Sequence, residues 1–149
     1  MRALLQRVSR AKVTVEGETV GETGHGLLIF LGVEVSDSDK ELEALVAKIQ
    51  GLRIFTDDQG KMNRSCEDVG GSYLAVSQFT LCADTKSGKR PGYERAMKPP
   101  ESERMYERFC ERLAVLTGRP VARGRFGAHM DVELVNDGPV TIWLDYPAG

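Results

Sequence analysis

The run Leu27-Leu28-Ile29-Phe30-Leu31-Gly32-Val33 limits this chain more than any other stretch. It is apolar without a break, and as a strand it must be covered on both faces. A chain of 149 residues has room for one domain, spanning 1–149, with a real core around such a strand and no need of staples.

The stretches on either side fit a sheet. Residues 2–8 and 11–16 read as strands; Ala11, Val13 and Val15 share one face of the second. Gly17-Glu18 is a tight turn, Thr19-Val20-Gly21 starts the return, and Gly24-His25-Gly26 breaks it. Asp37 or Ser38 caps a first helix carrying Leu42, Leu45, Val46, Ile49 and Leu52 at helical spacing. Arg53–Thr56 is a short strand, Asp57–Gly60 a turn, and Gly70-Gly71 a break before a strand over Ser72–Cys82. Residues 83–100 form a long loop with Gly88, Pro91, Gly92, Pro99 and Pro100. Glu101 opens a second helix with the stripe Met105, Tyr106, Phe109, Leu113 and Leu116, and Gly118 stops it. Val121–Phe126 and Met130–Val135 are further strands. Asp137-Gly138 reads as a hairpin turn into a final strand over Val140–Leu144. Many strands and two amphipathic helices predict an α+β fold with a largely antiparallel sheet.

Composition, at 41% apolar and 28% charged, excludes a disordered chain. No apolar run nears the ~20 residues that cross a bilayer, and the start, Met1-Arg2-Ala3-Leu4-Leu5, is too short and basic for a signal sequence. A cytosolic protein that binds no membrane is expected. Cys66, Cys82 and Cys110 are scattered, with no Cys-x-x-Cys pair, and read as free thiols; no metal site and no cofactor motif is expected. The net charge of −2 requires any nucleic-acid contact to rest on a local patch. Three patches qualify: the loop Lys86, Lys89, Arg90, Arg95, Lys98 with Tyr93 among them; Arg119, Arg123, Arg125; and Arg2, Arg7, Arg10, Lys12.

Two stretches ask for more than a structural reason. In a regular strand Ser77-Gln78-Phe79-Thr80-Leu81 puts Gln78 and Thr80 on one face and Ser77 and Phe79 on the other. Ser77 and Thr80 can share a pocket only where the strand bends. Backbone N–H groups at its end could form an oxyanion hole; the alternative is a strand whose hydroxyls bond neighbouring backbone. In Asn136-Asp137-Gly138-Pro139-Val140-Thr141, proline follows a turn signal at once. A cis Gly138-Pro139 step would fix two carbonyl oxygens able to read a substrate amine; the alternative is a plain turn proline. A triad of Ser77, His129 and an aspartate lacks a nucleophile elbow, and His25 reads as a solvated loop residue.

Together these residues resemble the D-aminoacyl-tRNA deacylases of the bacterial and eukaryotic type. The likeness covers nearly the whole chain: Gln6-Arg7-Val8, Gly26-Leu27-Leu28, Leu52-Arg53-Ile54-Phe55, Gly60-Lys61-Met62-Asn63, and above all Ser77–Leu81 and Leu134–Thr141. The resemblance implies a barrel-like arrangement and a metal-independent hydrolase that frees D-amino acids, and glycine from the wrong tRNA, from the 3′ end of tRNA. It implies a homodimer in which Gly138-Pro139, in cis and fixed by Arg7, enters the partner's pocket and excludes L side chains, with Met130 beside the substrate. Ser77, Gln78, Phe79 and Thr80 would line the ester. Attack by Thr80 and attack by water helped by a ribose hydroxyl are both left open. Lys86, Lys89 and Arg90 would contact tRNA; DNA is not an expected partner. Gly92, Tyr93, Met97 and His129 depart from the family's usual residues. A pocket that holds its substrate by main-chain atoms makes handedness a steric matter, and glycine passes such a filter. The competing readings are a non-catalytic RNA-binding module and a small-ester hydrolase using Ser77 and His129.

Overall fold

The computed structural model describes residues 1–147. Its elements follow in the order β1 (Arg2–Val15), β2 (Glu18–Thr23), β3 (Gly26–Gly32), α1 (Asp39–Gly51), β4 (Phe55–Thr56), β5 (Met62–Arg64), β6 (Ser72–Ser77), a 3-10 turn (Phe79–Cys82), α2 (Glu101–Thr117), β7 (Val121–Arg123) and β8 (Asp131–Asp145).

β1 organises the sheet. At Glu16-Gly17, both with positive φ (51° and 81°), the chain turns back in a tight hairpin. The antiparallel register then holds from Val13 opposite Gly21 to Arg2 opposite Gly32, so β2 and β3 are one returning strand interrupted at Gly24-His25. The two predicted strands, 2–8 and 11–16, are likewise one strand. They read as two because Ser9 and Arg10, side by side and exposed, shift the inward phase. Ala3 and Leu5 face the helices, whereas Val8, Ala11 and Val13 face the barrel interior.

β8 covers the other edge of β1, from Thr14 opposite Asp131 to Arg2 opposite Asp145. The predicted hairpin at Asp137-Gly138 is therefore wrong, because the chain does not reverse there. Between the pairs Val8–Asn136 and Gln6–Thr141, residues 137–140 bulge out opposite the single residue Arg7. β6 pairs parallel with β3, and β7 parallel with β6. The ladders of β1 with β2, β3 and β8 are antiparallel. β2 comes so close to β7 that a Cβ on Gly21 would overlap the Arg123 carbonyl, and the sheet nearly closes into a barrel. The α+β, barrel-like expectation holds.

β3 meets apolar cover on both faces, as its composition requires. Leu27, Ile29 and Leu31 join α1, α2 and Tyr73 in one cluster; Leu28 joins Val8, Val13, Leu74 and Val76 in the other. Ser38, not Asp37, caps α1: its Oγ accepts from the Lys40 N–H, and Glu41 accepts the Ser38 N–H at 2.7 Å. Asp37 instead takes the buried Met1 ammonium at 2.7 Å. α2 ends at Gly118 in the left-handed region, φ 65°. Its buried stripe is Tyr106, Phe109, Cys110 and Leu113; Leu116, predicted inward, is 43% exposed. Among the described residues no helix is long and apolar enough to cross a membrane.

Candidate active site

The predicted strand Ser72–Cys82 stops at Ser77. Gln78 still donates its N–H to the Leu31 carbonyl at 2.8 Å, but Phe79–Cys82 then coil into the 3-10 turn. Gly32 leaves room for the turn to pack closely against β3. A Cβ on Gly32 would stand 3.0 Å from Leu81 Cβ and 3.1 Å from Cys82 Sγ. The bend removes the alternation expected of a strand: Ser77, Gln78 and Phe79 all line one cavity, while Thr80 is exposed and does not. Gln78 and Thr80 therefore do not work as a same-face pair.

The cavity measures about 390 Å³, within the range of small-ligand sites. Leu31, Val33, Ala96, Met97, Phe126 and Met130 supply apolar walls; Ser77, Gln78, Lys98 and Ser102 supply polar groups. No aspartate, glutamate, histidine or cysteine lines it, and Lys98 is the one titratable side chain in its walls. Among the described residues, no acceptor takes the N–H of Phe79 or Thr80; the first bonds of the turn are Leu81 N–H to Gln78 O and Ala83 N–H to Thr80 O, each 3.2 Å. Those two free donors at the bend suit a developing oxyanion. His129 is exposed and does not line the cavity that holds Ser77, which leaves the triad reading unassembled. His25, also exposed, stands edge-on to Phe55 at 5.3 Å.

The second stretch lies elsewhere. Arg7, only 8% exposed, donates Nη1 to the Ile54 carbonyl at 2.8 Å and Nε to the Asp137 carbonyl at 3.2 Å. Asp137 Oδ2 lies 3.2 Å from the same Nε. Asn136 closes the bulge by donating Nδ2 to the carbonyls of Arg7 (2.9 Å) and Val140 (3.0 Å), in place of the missing ladder bonds. Gly138 adopts φ 124°, open to glycine and strained for other residues, and the Gly138-Pro139 bond is cis. Both residues are exposed. None of Arg7, Gly138 and Pro139 lines the cavity. Met130, grouped with them in the resemblance, belongs instead with Ser77–Phe79: it lines the cavity and packs against Gly124, where a Cβ would meet its sulfur at 2.8 Å.

The basic groups separate on their partners. Arg10 and Lys12 bind Glu133 at 3.2 and 3.4 Å; the hydrogen bond from Arg10, then that from Lys12, holds this carboxyl below its ordinary range. Arg119 donates to the Gly70 and Gly71 carbonyls, both at 2.6 Å. Arg2 and Arg95 pair with Glu34. Lys86, Lys89 and Arg90 are exposed on an excursion closed by paired backbone bonds between Asp84 and Gly92, 2.8 Å each, and among the described residues they have no ion-pair partner. Tyr93, at the foot of this excursion, meets the Phe79 ring at 5.1 Å and so joins it to the cavity mouth. Phe126 and Ser102 carry no local sequence signal for the site, whereas Asn136 opens the second special stretch and brings an amide to the bulge.

Residues 4–145 match the family model described as D-Tyr-tRNA(Tyr) deacylase. The D-aminoacyl-tRNA deacylase of Ruegeria pomeroyi is 59% identical over 145 residues, covering 97% of this chain and 99% of that protein. That of Deinococcus radiodurans is 56% identical with the same coverage of both chains. A solved structure of a protein called c-Myc DNA Unwinding Element Binding Protein superposes with a TM-score of 0.93 at 42% identity, over 99% of this chain and 100% of that one. The family matched is one of hydrolases that act on aminoacyl groups carried by tRNA. More narrowly, the chain belongs to the D-aminoacyl-tRNA deacylase family.

Proposed function

We propose that the protein cleaves the ester between a D-amino acid, or misplaced glycine, and the 3′-terminal adenosine of tRNA, and that a second copy supplies the test of handedness. The observation that carries this is the separation of the two motifs. The cavity holds Ser77, Gln78, Phe79 and Met130, whereas Gly138 and Pro139 project on a braced bulge outside it. In a homodimer the bulge of one copy enters the cavity of the other, and its main-chain carbonyls take the α-amino group. An L side chain then points into backbone; a D side chain points to solvent; glycine meets no obstacle.

With no carboxylate, imidazole or thiol in the walls, the reaction runs on positioning and electrostatics. Water attacks the ester carbonyl carbon, and the N–H groups of Phe79 and Thr80 receive the oxyanion. Collapse breaks the bond to the ribose oxygen, which takes a proton from the attacking water, giving free amino acid and tRNA. The apolar walls, Phe126 and Met97 among them, suit the terminal adenine. Lys86, Lys89 and Arg90 meet the phosphates of the acceptor end. The setting is the cytoplasm, as a proofreading step for protein synthesis.

The test compares D-Tyr-tRNA, L-Tyr-tRNA and mischarged Gly-tRNA at equal enzyme, with chelator present. Release from the first and third but not the second is expected; equal rates on the D and L esters would refute the filter. The free cations of the excursion favour a second reading, a non-catalytic RNA-binding module, whose mark is salt-sensitive tRNA binding without ester cleavage. Duplex DNA is the control, because the structural relative at 42% identity is named for binding a DNA element.

A further inference from the structure

Resting on that ester-cleavage reading, we infer that Glu34 is a positioning residue that sets the two walls of the cavity against each other. Glu34 follows β3 and is 7% exposed. Its Oε2 accepts from Arg95 Nη2 at 3.0 Å, and its Oε1 lies 2.9 Å from Arg2 Nε as a contact of charge alone, since that nitrogen has no hydrogen-bond partner among the described residues. Each cation leads to a different wall. Arg2 Nη1 donates to the Leu81 carbonyl at 2.8 Å, inside the 3-10 turn that carries the Phe79 and Thr80 donors. Arg95 opens the segment that supplies Ala96, Met97 and Lys98, zipped to the end of β3 by Val35 N–H to Arg95 O and Met97 N–H to Val33 O, both 2.9 Å.

A buried carboxylate between two guanidinium groups is well suited to fixing orientation. It is a weak source of net stability, because burying the charge costs much of what the pairing returns. Here both cations keep access to water: their side chains are 15% and 50% exposed. Arg2 also has other attractions close by, Asp145 Oδ1 at 3.7 Å and the Trp143 ring at 5.9 Å. Without the Glu34 charge Arg2 turns toward those and lets go of Leu81. The turn then loses its outside anchor while the apolar layers stay intact.

The experiment measures kcat and KM on D-Tyr-tRNA, and amide exchange at Leu81 and Ala83, in Glu34→Gln, Arg2→Met and the double variant. Glu34→Gln is isosteric, and Arg2→Met, at a partly exposed site, tests the same link if the first does not fold. Expected are a fall in kcat of about tenfold or more, in line with the cost of ångström-scale misplacement, a KM within about twofold, and faster exchange at both amides. The double variant should be no worse than the poorer single one, because the residues act as one chain. Unchanged kcat and exchange in a folded variant, additive losses, or a loss confined to KM would each overturn the inference. If the unaltered protein cleaves no D-ester, the functional reading fails, while the exchange data still decide whether Glu34 governs the turn.

Discussion

Replacing Arg7 by methionine separates the grip of Arg7 on the bulge from the charge that it carries. The substitution leaves the Ile54 carbonyl, bonded at 2.8 Å in a buried setting, facing hydrocarbon. An abandoned buried acceptor costs about 1–3 kcal/mol. The ion pair to Asp137 adds little, since that carboxylate is 45% exposed and such pairs contribute about 0–1 kcal/mol. Relief from burying the guanidinium works the other way, and the net loss comes to about 2 kcal/mol. Asp137→Asn is the matched control: it keeps the Asp137 carbonyl that Arg7 Nε holds at 3.2 Å and loses only the exposed pair. Urea unfolding should therefore show about 2 kcal/mol for Arg7→Met and under about 1 kcal/mol for Asp137→Asn. If the same energy is what aims the Gly138-Pro139 step, turnover of D-Tyr-tRNA falls about 30-fold in the first variant and by no more than about fivefold in the second. A control that is as damaging as Arg7→Met would show that the charge matters and the carbonyl grip does not. Full D-specific turnover in Arg7→Met would remove Arg7 from the filter altogether.

Gly138→Ala should cost about 1–3 kcal/mol in urea unfolding, because its Cβ at φ 124° would stand 3.0 Å from Arg7 Nη2 and 3.1 Å from the Val140 nitrogen; a loss under about 0.5 kcal/mol would refute that geometry. Thr80→Ala should leave kcat on D-Tyr-tRNA within about threefold, as the exposed hydroxyl is outside the cavity and the N–H is retained. A hundredfold drop would make the hydroxyl the reacting group. Burial pushes the thiols of Cys66, Cys82 and Cys110 up to about 11. They should resist iodoacetamide at pH 8 in the folded protein and react once it is unfolded. Raised folded-state values also fix a sign. Stability from these groups is intact below the unfolded thiol value near 9 and declines as pH rises toward 11. A stability flat across that window would contradict it.

Local patterns in the sequence reached most elements, because the signals that set them are local. The apolar run became the doubly covered β3, the capping box started α1, and Gly118 ended α2. The two decisive errors were long-range in origin. Asp137-Gly138 has the chemistry of a hairpin turn, yet β1 offers its whole length as a partner, and Asn136 and Arg7 hold the extra residues as a bulge instead. Nothing within Ser77–Cys82 marks the end of the strand. Room for the turn against β3 comes from the absence of a side chain at Gly32, 45 residues earlier than Ser77 by the numbering of the chain. The residues of both motifs were legible as special. Their separation into a cavity and an outlying bulge was not, because it depends on which strands pair, and no residue near either motif encodes that.

Pairing β1 with β8 also sets a schedule for the newborn chain. β1 leaves the ribosome with one edge open, and β8, which will cover it, is made more than a hundred residues later. At ~5–20 residues per second, roughly 6 to 23 seconds of translation separate the two. Throughout that time the bulge and its arginine brace do not exist together. If the bulge is the filter proposed above, a chain built this way has no filter until β8 has been made.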